Sequence, residues 1–107
     1  MEKFLFYENA TTDMTCIPAY RLVEMVVDGD GDQITMNHRM PKSNEVGSNL
    51  EYAAILTVNS GKAKKVLNSI SEAISVGKNP FIVIADDVNK VYIDSDITAI
   101  SGLDNLS

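Results

Sequence analysis

Three carboxylates stand at every second position of "DGDGDQ" (28–33), namely Asp28, Asp30 and Asp32. Alternating oxygen donors of this kind open a helix–loop–helix calcium loop, which reads D-x-[DN]-x-[DN]-G and closes on a bidentate acid at its twelfth position. Counted from Asp28, the sixth position is Gln33 where the loop needs Gly, and the twelfth is Arg39 where it needs an acid. A calcium-binding β-roll requires a tandem nonapeptide, and this stretch occurs once. The spacing suits a hairpin connection instead, with Gly29 and Gly31 free to take positive φ and the Asp side chains bonding nearby amides.

A second candidate is "NSGKAK" (59–64), where Gly-Lys stands ahead of a helical pattern. A phosphate loop needs Gly five residues before Gly61, where Leu56 stands, and Ser or Thr after the Lys, where Ala63 stands. Nucleotide hydrolysis is therefore not expected. Lys62, Lys64 and Lys65 in a first helical turn oppose the helix macrodipole; beside free amides they could hold a phosphate or another anion, the alternative being a solvated turn. Catalytic chemistry lacks its usual residues. The chain has one Cys and one His, too few for a zinc site without carboxylates or for a second histidine to activate a Ser. Cys16 is expected as a buried thiol, His38 as a packed or interface side chain, and no two carboxylates are paired by sequence as acid and base. No enzyme activity, metal or cofactor is expected.

The elements that must position these residues follow from hydropathy period. "KFLFY" (3–7) reads as a first strand. "TCIPAYRLVEMVV" (15–27) reads as a second, in which Val23, Met25 and Val27 face one side and Leu22, Glu24 and Val26 the other. In "QITMNHRM" (33–40), Ile34, Met36, His38 and Met40 alternate with polar residues, the mark of a half-buried strand. Pro, Gly, Ser and Asn across 41–50 predict a long loop, and "EYAAILTV" (51–58) the next strand. The period then changes: Ala63, Val66, Leu67, Ile70, Ala73 and Ile74 predict an amphipathic helix over about 61–76, capped by Asn59 or Ser60 and ended by Gly77 and Pro80. "FIVIADD" (81–87) has the apolar continuity of a central strand. "KVYIDSDITAIS" (90–101) reads as a last strand sharply bent at Asp94 to Asp96, with a tail at 102–107 expected to fray.

A length of 107 residues, 45% of them apolar and 22% charged, predicts a single globular domain over 1–107. The apolar run in "MEKFLFYENATTD" is too brief for a signal segment or a membrane span, so a cytoplasmic protein without membrane association is expected. Fifteen acidic against nine basic residues give a net charge of −6, which argues against gripping phosphate over the whole surface and leaves room only for local basic spots.

The segment "NKVYIDSDITAISGL" (89–103) resembles the second motif of Sm-like proteins through Ile93, Asp96, Ile97 and Ile100, with Asp94 and Ser95 in the places of Arg and Gly. "DQITMNH" (32–38) resembles the first motif through Met36 and Asn37. Over its whole length the layout is similar to small ocean-metagenome proteins attributed to cyanophages, which have been likened to the Sm-like fold. That resemblance implies a mostly β, strongly bent antiparallel Sm-like barrel of SH3 type; the one helix, which the family carries at its N-terminus, is expected here before the last two strands. It also implies a homo-oligomeric ring acting in RNA or DNA processing, in the host cytoplasm if phage-encoded. Asn37 would contact a base, and Asp94, Ser95 and Asp96 would line the pore. An Asp in the place of Arg repels phosphate, so single-stranded RNA or DNA is expected to meet Arg39, Lys42, Lys62, Lys64 and Lys65, with Tyr20 or Tyr52 available for stacking. The alternative is a phage structural or protein-interaction module that binds no nucleic acid.

Overall fold

The computed structural model describes residues 2–39 and 51–106. Eight strands and one helix follow in chain order: β1 (Phe4–Ala10), β2 (Asp13–Pro18), a 3-10 turn (Ala19–Arg21), β3 (Leu22–Asp28), β4 (Gln33–Arg39), β5 (Glu51–Val58), α1 (Ala63–Ser75), β6 (Phe81–Asp86), β7 (Val91–Tyr92) and β8 (Ile97–Leu106). The protein is mostly β with one helix. Its strands form two four-stranded sheets, ordered β2-β1-β6-β7 and β3-β4-β5-β8. Among the described residues no closed barrel forms, and the pairing is not wholly antiparallel, because β1 and β6 run parallel. Parallel neighbours need a long connection. Here the intervening chain carries the whole β3-β4-β5 meander and α1. The expected loop at 41–50 lies outside the described residues.

The core lies where the sheets and helix meet. Leu5, Tyr7 and Ile17 from the first sheet pack with Ile34, Met36, Leu56, Ile97 and Ile100 from the second, and with Val66 and Ile70 of α1. The alternation read in 33–40 is present over the described residues 33–39, where Ile34, Met36 and His38 are fully buried while Gln33 and Arg39 are exposed; Met40 lies outside the described residues. The helix presents the expected face, with Ala63, Val66 and Ile70 buried and Leu67, Ala73 and Ile74 partly so.

The expected single strand over 15–27 is two strands in different sheets. Pro18, which has no N–H to continue a ladder, is the last residue of β2 paired to β1, and the 3-10 turn then carries the chain across to the other sheet. The alternation expected in 22–27 also fails. A bulge makes Leu22 face His38 and Glu24 face Asn37, so Val23 is the extra residue and the parity flips. Leu22 and Met25 therefore both turn partly inward, while Val23, Val26 and Val27 stay exposed.

The expected last strand over 90–101 divides likewise, β7 in one sheet and β8 in the other, with Asp94 to Asp96 as the crossover. The helix is thus followed by three strands. The tail expected to fray runs on as β8, with Leu106 opposite Glu51.

The start of α1 is held differently from expectation, while Gly77 follows the Val76 cap and ends the helix as expected. Neither Asn59 nor Ser60 caps the start; Lys62 occupies the cap position without a side-chain bond, and the Asn59 amide instead donates to Asp96 Oδ1 at 2.9 Å. At the other end the Lys3 ammonium donates to the carbonyls of Ala73, Ile74 and Gly77 at 2.8, 2.8 and 2.6 Å. Gly77 is required by close approach, since a Cβ there would meet the Ala73 carbonyl oxygen at 2.6 Å.

Candidate nucleic-acid interface

The acidic turn is a hairpin connection between β3 and β4. Gly29 and Gly31 take φ of +65° and +85°, the Gly31 amide donates to the Asp28 carbonyl at 3.3 Å, and Thr35 Oγ1 donates to Asp28 Oδ2 at 2.9 Å. Asp28, Asp30 and Asp32 point into solvent. Among the described residues no group of three or more His, Cys, Asp or Glu is arranged to hold a metal ion.

The predicted basic cluster and the predicted pore loop prove to be neighbours. Lys65 Nζ donates to Asp94 Oδ1 at 3.1 Å and to Asp96 Oδ2 at 2.8 Å. Asp94 is buried; its other oxygen accepts from Ser69 Oγ at 2.6 Å, and Oδ1 also accepts the Asp96 amide at 2.9 Å. These bonds hold both carboxyls below the usual range, with Ser69 and the Asp96 amide the main influences on Asp94, and Asn59 followed by Lys65 on Asp96. The same contacts, Asp96 first and Asp94 next, raise the Lys65 ammonium. Two carboxylates against one ammonium leave this spot net negative. Asp94 is thus an anchor at the crossover between sheets, Ser95 is exposed, and Lys65 is ion-paired though half exposed. Lys62 and Lys64 remain exposed beside it. An open concavity of about 700 Å³ runs along the helix, lined by Lys64, Lys65, Leu67, Asn68 and Ser71.

The other candidates separate. Asn37 donates to Glu24 Oε1 at 3.2 Å across the β3–β4 pair. Arg39 is exposed at the end of β4, and its carbonyl accepts from Arg21 Nη1 at 3.3 Å. Lys42 lies outside the described residues. Tyr52 is buried, so of the two tyrosines expected to stack only Tyr20 is accessible. His38 is packed, as one of its two expected roles required. Cys16 is exposed, contrary to expectation, because β2 is an edge strand with Ile17 turned inward and Cys16 outward.

Sequence reading missed three arrangements. The Arg21 guanidinium lies 5.3 Å from the centroid of the Tyr20 ring, a spacing that attracts a cation to an aromatic face. Tyr7 reaches His38 across the two sheets. Glu8 and Asp86 stand side by side in the parallel β1–β6 register, both buried. Burial and then the neighbouring Asp86 raise the Glu8 carboxyl. Burial also works to raise Asp86, but bonds from Asn89 and Val88 outweigh it and hold Asp86 low. Only adjacent identity, Tyr20 before Arg21, left any signal in the chain; the other pairs depend on strands distant in sequence.

Comparison with protein-family models, with curated proteins and with solved structures finds no match for this chain. No helix among the described residues is long and apolar enough to cross a membrane.

Proposed function

We propose that this chain is a non-enzymatic nucleic-acid-binding module that assembles with copies of itself into an Sm-like ring and acts in RNA or DNA processing, as the marine, cyanophage-attributed group that its motifs resemble would imply. The observation that carries the binding half is the open concavity along α1, with the Lys64 and Lys65 side chains in its lining and Lys62 exposed beside it. Exposed ammonium groups displace counterions from a phosphate backbone, whereas the paired Lys65 contributes less than its neighbours. The assembly half is supported by strand β3, a sheet edge whose Val23 and Val27 are 60% and 42% exposed. A strand that ends its sheet and carries solvent-facing valines is a surface another strand can cover, and cyclic pairing covers it without open-ended growth.

Light scattering gives the assembly state, and fluorescence anisotropy with short single-stranded RNA and DNA gives binding. The expected results are a discrete homo-oligomer and an affinity that falls as salt rises, weakened in a Lys62→Glu/Lys64→Glu variant. A monomer, or indifference to every oligonucleotide at low salt, overturns the corresponding half. The same edge favours a second reading, a phage structural or protein-interaction module, for which a net charge of −6 is no handicap. A discrete oligomer that ignores nucleic acid is its signature.

A further inference from the structure

Tyr20 is 69% exposed, although aromatic rings in a small domain ordinarily add to its core. It sits on the 3-10 turn that carries the chain between sheets, so its backbone is set by Pro18 before it and by the β3–β4 pair after it. The Arg21 guanidinium lies 5.3 Å from its ring centroid and donates to the Arg39 carbonyl at 3.3 Å, which holds the cation beside the ring and near a second exposed arginine. Next to the ring is a hollow of about 250 Å³ lined by Glu2, Lys3, Ala19, Tyr20 and Ile74. Lys3 is spent there on the carbonyls that end α1. An accessible aromatic face, an anchored guanidinium and a hollow large enough for one planar ring make the combination that single-stranded nucleic acid uses: a base stacks and its phosphate is neutralised.

We infer that Tyr20 and Arg21, with Arg39 beside them, form a stacking subsite for one unpaired nucleobase of a single strand, its phosphate on the arginine side, away from the Glu2 carboxylate. The subsite rests on the nucleic-acid reading above and is separate from the lysines in that reading. Tyr20 borders Ile74 near the end of α1 and Lys62 stands at its start, about 18 Å away at 1.5 Å per residue. Stacking carries little dependence on salt, and phosphate neutralisation carries most of it. The two contributions can therefore be separated.

The test is anisotropy of a fluorescein-labelled single-stranded ten-mer against the full chain and three variants, Tyr20→Ala, Tyr20→Phe and Lys62→Glu/Lys64→Glu, over a salt series, with circular dichroism to verify folding. Tyr20→Ala is expected to weaken binding roughly 5- to 150-fold with an unchanged salt slope, the range that loss of one base–aromatic stack gives. Tyr20→Phe, which keeps the ring, is expected to bind within about twofold of the parent, and the double lysine variant to show a shallower slope. Wild-type affinity in Tyr20→Ala, with oligonucleotide binding otherwise intact, overturns the subsite and leaves the broader reading standing. Failure of the parent chain to bind at low salt overturns the broader reading and the subsite with it.

Discussion

Tyr7 Oη lies 2.8 Å from His38 Nε2, a buried bond that joins β1 of one sheet to β4 of the other. The opposite ring nitrogen, Nδ1, is 2.8 Å from the Tyr52 carbonyl oxygen. A carbonyl only accepts, so Nδ1 carries the proton, and in the neutral imidazole Nε2 then accepts and Tyr7 donates. This assignment requires a neutral imidazole. Burial lowers the His38 pKa, and the bond to the Tyr52 carbonyl, which favours the charged form, does not reverse it.

The consequence is a stability that depends on pH. With the folded pKa below that of the unfolded chain, the contribution is complete above about pH 6.5 and is lost as pH falls below it, because the unfolded state takes the proton first. Urea denaturation between pH 8 and 5 should show stability falling by up to about 1.4 kcal/mol per pH unit. Tyr7→Phe should cost about 1–3 kcal/mol by leaving Nε2 without a donor. A flat profile from pH 8 to 5 contradicts the neutral, buried assignment.

Asp94 and Lys65 form an unequal pair, since their side chains are 4% and 54% exposed. Removing the buried partner strands Ser69, the Asp96 amide and Lys65 together. Asp94→Ala should therefore cost about 2–3 kcal/mol, while Lys65→Ala, which takes away a solvent-screened charge, should cost less. Because the Asp94 carboxyl is held low in the fold, its contribution is present above its unfolded pKa and disappears as pH falls through the folded value. Chemical denaturation of the two variants at neutral pH provides the comparison; equal costs would contradict it.

Lys3 closes the end of α1 from 70 or more positions away in the chain. Lys3→Met keeps most of the stem and deletes the three donors and the charge that complements the helix dipole, at a cost of about 1–2 kcal/mol. Hydrogen exchange locates the loss. Amides in the last turn of α1 should lose protection beyond the global change.

At Gly77 the obstacle is proximity, with the Ala73 carbonyl standing where a Cβ would go. Gly77→Ala should lower stability by about 1–3 kcal/mol, because the last turn must shift to admit the methyl group. Thermal unfolding tests this, and an unchanged or raised midpoint would refute it.

The exposed valines of β3 offer a test by assembly. Val23→Lys/Val27→Lys places charge on an edge whose side chains already meet solvent, so folding should survive while any strand pairing between copies is disfavoured. Light scattering should report a smaller species for this variant at unchanged circular dichroism.

Local period determined a good part of this molecule from the chain alone. Ile34, Met36 and His38 at period two, and Ala63, Val66 and Ile70 at helical spacing, declare their buried faces because neighbours a few residues apart share one side of an element. Gly29 and Gly31 likewise declare a hairpin, since few other residues tolerate the backbone it needs. Pairing was decided elsewhere. Whether Cys16 is covered depends on what packs against the outer face of β2, and the inward turn of both Leu22 and Met25 depends on a bulge that only the partner strand defines. Tyr7 and His38 are 31 positions apart and Lys65 and Asp94 are 29 apart. Such contacts form because sheets and helix must bury a common core and then satisfy every polar group trapped within it, a condition imposed by the assembled fold and written in no single stretch of residues.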